Sequence, residues 1–167
     1  LVSWTDTTTR QRCIVTMCKL ANGDGMRSRL VDEGAVPALI SLLSSHDKVM
    51  RRDCAAALCD LTCCEGTDFK AKIVEQGAVS ALAVVGLVRS ADDAYTQKVC
   101  CKALYNLLNA NGPDVLKNMV REGIVGALTA MCDLDDETRE MFAVGVCNLA
   151  AQDKQAREEI SKDITLR

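Results

Sequence analysis

Ten cysteines are the residues of this chain best equipped for chemistry: Cys13, Cys18, Cys54, Cys59, Cys63, Cys64, Cys100, Cys101, Cys132 and Cys147. A structural zinc site usually announces itself as C-x-x-C pairs joined by further cysteines or histidines. No C-x-x-C occurs, and the single histidine, His46, has no cysteine or acidic cluster at ligand spacing around it. His46 is read as a loop residue, and no metal is expected. Several cysteines stand beside alanine on predicted apolar helix faces, where a thiol packs as a small hydrophobe. Such an abundance of unpaired thiols favours a reducing compartment, the cytoplasm or nucleus.

Paired carboxylates are the next candidates, since two acids of unlike environment can divide general acid and base roles. Asp92-Asp93 and Asp135-Asp136 are such pairs, but adjacent loop residues point in different directions, and no basic residue or histidine adjoins them. Both are read as charged loops. The phosphate-cradling GxxxxGK[ST], the dinucleotide-binding GxGxxG, and the hydrolase motifs HExxH and GxSxG are all absent. A non-catalytic protein without a cofactor is the expectation.

The elements that would position any site come from a repeat. Residues 30–43 read LVDEGAVPALISLL, residues 73–86 read IVEQGAVSALAVVG, and residues 119–132 read MVREGIVGALTAMC. Their glycines, Gly34, Gly77 and Gly123, are 43 and 46 residues apart. Self-similarity at that period marks a helical array in which each unit buries its apolar face by stacking on its neighbours. Composition agrees. Of the 167 residues, 49% are hydrophobic and 26% charged, enough to fill a core and solvate its outside, while aromatics at 3% leave small and medium side chains to pack helix on helix. No apolar run reaches the roughly 18 residues of a membrane span. A net charge of −3 gives no global attraction to nucleic acid or anionic lipid.

In chain order, residues 1–23 read as the last helix of an incomplete unit. Trp4 is expected to cover an exposed edge, Asp6 to cap the helix, and Cys13, Ile14, Met17, Cys18, Leu20 and Ala21 to form its buried stripe before Asn22-Gly23 ends it. Residues 24–66 form a complete unit. A short helix stops at Gly34, a second begins with Pro37 in its first turn and buries Leu39, Ile40, Leu42 and Leu43, and Ser44-Ser45-His46-Asp47 leads into a long third helix with Cys54, Ala57, Leu58 and Leu61 inward. Residues 67–111 form the next. From its glycine to the last leucine of its third helix it runs 30 residues, against 27 and 26 in its neighbours. The surplus lies in VVGLVRSADDA, which predicts a longer second helix or a wider loop. Residues 112–152 follow, with Pro113 opening the first helix and an acidic loop at 134–137, and residues 153–167 read as the start of a further unit. With Leu1 at its head and partial units at both ends, the chain is read as a fragment of a longer array, whose uncapped ends would self-associate.

Aligned on their third helices, the segments CIVTMCKLA, AAALCDLTC, KALYNLL and VGVCNLA place Leu20, Leu61, Leu107 and Leu149 in register, each preceded by Lys19, Asp60, Asn106 or Asn148. A short helix, a Gly-Ala-Val-Pro-Ala-Leu corner and a long helix ending in Ala-Leu-x-Asn-Leu resemble the armadillo repeat over about residues 6–164. The resemblance implies an all-α, right-handed α-solenoid whose third helices line a concave groove for an extended partner chain. It further implies that Asn106 and Asn148 hydrogen-bond the partner's backbone, an arrangement from which Lys19 and Asp60 depart. Nuclear-import adaptors of this fold carry tryptophan four residues earlier. Val15, Ala56, Lys102 and Val144 stand there, so a receptor for basic cargo signals is disfavoured.

Residues four and eight positions before the aligned ones share their helix face. The expected groove therefore gathers Gln11, Val15 and Lys19; Arg52, Ala56 and Asp60; Lys98, Lys102 and Asn106; and Glu140, Val144 and Asn148, with Tyr105 at the rim. Arg52, Lys98 and Lys102 make its middle basic, and much of the acidic charge falls in predicted loops. The expectation is a protein-interaction scaffold binding an extended, acidic partner segment, as in catenin-like armadillo proteins. The alternative is a sensor domain for a small metabolite or a membrane-associated partner.

Overall fold

The computed structural model describes residues 7–21, 25–63, 66–89, 93–108, 112–131, 135–152 and 154–165. Expectations set on Trp4, Asp6, Asn22, Gly23, Cys64, Asp92, Cys132, Asp133 and Leu134 lie outside them. The described residues are helical and contain no strand. In order they form α1 (Thr7–Ala21), α2 (Met26–Asp32), α3 (Ala35–Leu43), α4 (Lys48–Thr62), α5 (Thr67–Glu75), α6 (Ala78–Val84), a π-helical turn (Val85–Arg89), α7 (Ala94–Leu108), α8 (Pro113–Arg121), α9 (Ile124–Met131), α10 (Asp136–Gln152) and α11 (Lys154–Thr165).

Each corner is made by the same local chemistry. Gly34, Gly77 and Gly123 have φ of 85°, 82° and 85°, a left-handed backbone that a Cβ would strain. Their N–H groups donate to the carbonyls of Val31, Val74 and Val120 at 3.1, 2.8 and 3.0 Å, so the sharp turn itself satisfies one of the terminal carbonyls of the short helix. The same three valines are buried, which fixes corner and core together. Pro37 lies in the first turn of α3 and Pro113 opens α8, where a missing N–H has no consequence.

The core runs along the stack, built from Val36, Leu39, Leu58, Val79, Leu82, Leu104, Leu107, Val125 and Leu128 among others. Full burial of one such side chain stabilises by about 1.5 to 3 kcal/mol. Leu39 and Leu43 are buried as expected, whereas Ile40 and Leu42 are only half-buried. Leu20 departs further. It is 38% exposed, because α1 is covered on one side by α2 and α4 and its stripe is narrower than the spacing implies.

The surplus residues of 67–111 lie in the π-helical turn, which extends α6. A π turn absorbs an insertion by widening the helix rather than breaking it. Gly86 sits within it, where an added Cβ would come within 2.8 Å of Met131 Sδ and 3.2 Å of Cys100 Cβ. The bulge packs against α7 and α9 at a distance where a side chain at residue 86 would force Met131 and Cys100 to shift. No single helix among the described residues is long and apolar enough to cross a membrane.

Candidate functional site

The long helices α1, α4, α7 and α10 pack in succession, α1 on α4, α4 on α7, and α7 on α10. Their aligned positions share one accessible face. Lys19 is exposed and Asp60, Asn106 and Asn148 are half-buried; four residues earlier, Val15, Lys102 and Val144 are exposed and Ala56 half-buried. Eight earlier, Gln11 and Glu140 are exposed and Arg52 and Lys98 half-buried, while Tyr105 is half-buried beside Asn106.

Within that face the polar residues have definite partners. Asn106 Nδ2 donates to Thr62 Oγ1 and Cys63 Sγ, both at 3.2 Å, tying α7 to the C-terminal end of α4. Thr62 is buried and donates onward to the Cys59 carbonyl at 2.7 Å. The backbone carbonyl of Asn106 accepts from Lys70 Nζ at 2.8 Å, and Lys70 is itself buried. A cation at the last carbonyls of a helix complements its dipole, so α5 braces the end of α7. Asn106 Oδ1 is left as an acceptor. Burial raises the carboxyl of Asp60, opposed by the nearby charges of Arg27 and Lys102.

Two corrections to the sequence reading concern the acids. Asp93 is not part of a solvated loop; it is buried at the start of α7. Its carboxylate accepts from Arg52 Nε and Nη2, each at 2.7 Å, and from Thr96 Oγ1 at 2.8 Å. The Arg52 hydrogen bonds hold Asp93 well below the usual carboxylate range despite its burial. The guanidinium also lies 5.6 Å from the centroid of the exposed Tyr95 ring, in cation–π range. Likewise, of residues 135–137 only Asp135 lies outside a helix. Asp135 precedes α10 and accepts from the Thr138 N–H at 2.8 Å, while Asp136 and Glu137 belong to the first turn of the helix. Lys98 Nζ lies 2.8 Å from Asp135 Oδ2 and 2.6 Å from Glu137 Oε2. Those two acids raise the Lys98 ammonium's pKa, and Lys98 in turn lowers Asp135 to about 2.

Acids assigned to loops thus reach two of the three cations expected at the centre of the groove. A signal for them was present. Asp47, Asp93 and Asp135 each stand immediately before a long helix, where aspartate caps the first N–H groups, and Asp47 does accept from Val49 and Met50 at 2.8 and 3.2 Å. Among the described residues Lys19 and Lys102 form no ion pair.

The thiols follow the packing expectation in part. Cys54, Cys59, Cys100 and Cys101 are buried, Cys13 and Cys18 half-buried, and Cys63 and Cys147 exposed; none of these eight is in a disulfide. Burial pushes Cys18 up to about 11 and Cys54 and Cys59 to about 12, so these thiols are poor nucleophiles. Among the described residues no group of three or more His, Cys, Asp or Glu is placed to hold a metal.

Residues 23–63 match the armadillo/beta-catenin-like repeat. The chain folds as an armadillo-repeat solenoid. Solved structures share the armadillo fold over nearly all of its length. An engineered protein is 26% identical with a TM-score of 0.79, covering 97% of this chain and 64% of its own. A second engineered protein, also 26% identical, gives 0.81 over 97% of this chain and 39% of its own. A designed armadillo repeat protein in complex with the peptide (KR)4 gives 0.81 at 18% identity, covering 96% and 66%. The chain therefore spans less than two thirds of the length of these structures. No curated protein matches it.

Proposed function

We propose that this armadillo chain is a non-catalytic interaction scaffold that holds an extended, acidic segment of a partner protein across α1, α4, α7 and α10. The observation that carries the reading is the accessible row of four aligned helices, with Asn106 and Asn148 at one level and, beside them, the cations Lys102 and Lys19, which form no ion pair among the described residues. Packed helix axes lie about 8 to 10 Å apart, and an extended chain advances about 3.3 to 3.6 Å per residue. Each helix thus meets roughly every third residue of the partner, and a rigid face of this kind lowers the ordering cost of capture. The designed relative holds a peptide of alternating Lys and Arg. Here Lys102 in the middle of the row, with no aromatic residue at its level, opposes a basic segment and favours an acidic one. The ten cysteines of the sequence, in no C-x-x-C arrangement, favour a reducing compartment, the cytoplasm or nucleus.

Fluorescence polarisation with extended acidic, neutral and basic peptides tests this, using wild type and Lys19→Glu/Lys102→Glu. Acidic peptides should bind the wild type and lose affinity in the double variant. Equal binding of all three classes, or none, would sink the reading.

A second reading rests on one observation. A cleft of about 350 Å³ between α3 and α6 is lined by Ile40, Leu43, Gln76, Ser80 and Val84. A small, largely apolar molecule would suit it. Thermal stabilisation by such compounds, absent when Ser80→Trp fills the cleft, would favour this use; no stabilisation by any would remove it.

A further inference from the structure

Lys98 stands on the groove face two helical turns before Asn106, yet its ammonium is already occupied. Its two carboxylates are unlike. Asp135 also caps α10 through the Thr138 N–H, so releasing it would open the helix end. Glu137 has no such duty: its one partner among the described residues is Lys98, at 2.6 Å, and its side chain is 54% exposed. It belongs to the first turn of α10, where the helix dipole keeps a carboxylate charged after release.

We propose that Glu137 is a built-in competitor for Lys98, a carboxylate of the chain itself lying where an acidic side chain of the partner would bind. The inference rests on the acidic-segment reading above and adds the residue that sets its threshold. Exchange leaves no charge stranded: Lys98 keeps Asp135, gains the partner's carboxylate, and Glu137 returns to water. A tethered carboxylate acts at high effective concentration, so a single acid on the partner displaces it poorly. A segment with several acids, anchored at Lys102 and Lys19 as well, displaces it readily. Glu137 therefore discriminates between weakly and strongly acidic segments. Arg52 offers no second gate of this kind, because displacing Asp93 would leave a buried carboxylate without its cation and undo the cap at Thr96.

A double-mutant cycle tests the proposal with one acidic and one neutral peptide. Glu137→Gln removes the charge at an exposed position and conserves shape, and unchanged melting by circular dichroism checks the fold. It should tighten binding of the acidic peptide by about two- to fivefold, the range of an exposed ion pair, and leave the neutral peptide unchanged. In a Lys98→Met background the same substitution should give no gain. A gain that persists without Lys98 would show a general charge effect and overturn the proposal. So would no gain in the wild-type background. Should wild type bind acidic peptides and Glu137→Gln leave them unaltered, only the competitor falls; should neither bind any, the scaffold reading falls with it.

Discussion

Arg52 on α4 and Lys98 on α7 occupy equivalent places, each eight residues before an aligned groove position, and each reaches to an aspartate that caps the next long helix. Their surroundings differ. The Asp93 side chain is 1% exposed and grips Arg52 in two parallel hydrogen bonds, whereas Asp135 is 40% exposed and shares Lys98 with a still more open glutamate. Guanidinium geometry suits a fixed, two-point lock, and a compact ammonium on a flexible stem suits exchange. Burial of the acid, rather than the sign or place of the cation, decides which one is structure and which one is available to a partner.

The largest expected effects lie beneath both pairs and test whether the scaffold under them is equally firm. Leu58→Ala on α4 and Leu104→Ala on α7 remove fully buried side chains. Each should cost about 2 to 5 kcal/mol in urea unfolding, and a loss confined to one of them would mean that the comparison reflects uneven packing. Asp93→Ala comes next. It removes a helix cap and a charge-assisted bidentate bond, and because Arg52 remains 42% exposed and can rehydrate, the cost should be near the low end, about 2 kcal/mol. Unaltered stability would erase the distinction between the two pairs.

Acid sharpens the same point. The folded state lowers the Asp93 pKa, so its contribution is present above the ordinary carboxylate pKa of about 4 and is lost as pH falls below it. The stability gap between wild type and Asp93→Asn should therefore be widest near neutral pH and close on acidification; a gap constant with pH would refute the linkage. Smallest of all, Lys98→Met should leave the melting temperature unchanged within error while weakening acidic peptide binding. Destabilisation as large as that of Asp93→Ala would make Lys98 a structural residue too.

Much of the architecture was legible in the chain because it depends on local chemistry. The glycine corners need a left-handed backbone wherever they occur, and Leu58, Leu61 and Leu107 needed only helical spacing to be placed inward. The aligned rows on the long helices rest on the same periodicity. Their charge state does not, since Asp93 is 41 residues from Arg52, and Asp135 and Glu137 are 37 and 39 from Lys98. A repeat period brings such residues together only once the units are stacked. Leu20 shows the same boundary: its spacing marks a buried face, but burial requires a neighbour on that side.

The sequence by itself determined the unit, its turns, its capping aspartates and the rows that four long helices present, because each follows from bonds within a few residues. Tertiary structure decided which cations are already satisfied, that the surplus residues of 67–111 form a π turn packed through Gly86, and that Asn106 is braced from both α4 and α5. Those outcomes depend on the distance between groups in neighbouring units, and in a medium where an ion pair's worth changes steeply with burial, only the stacked structure supplies both distance and burial.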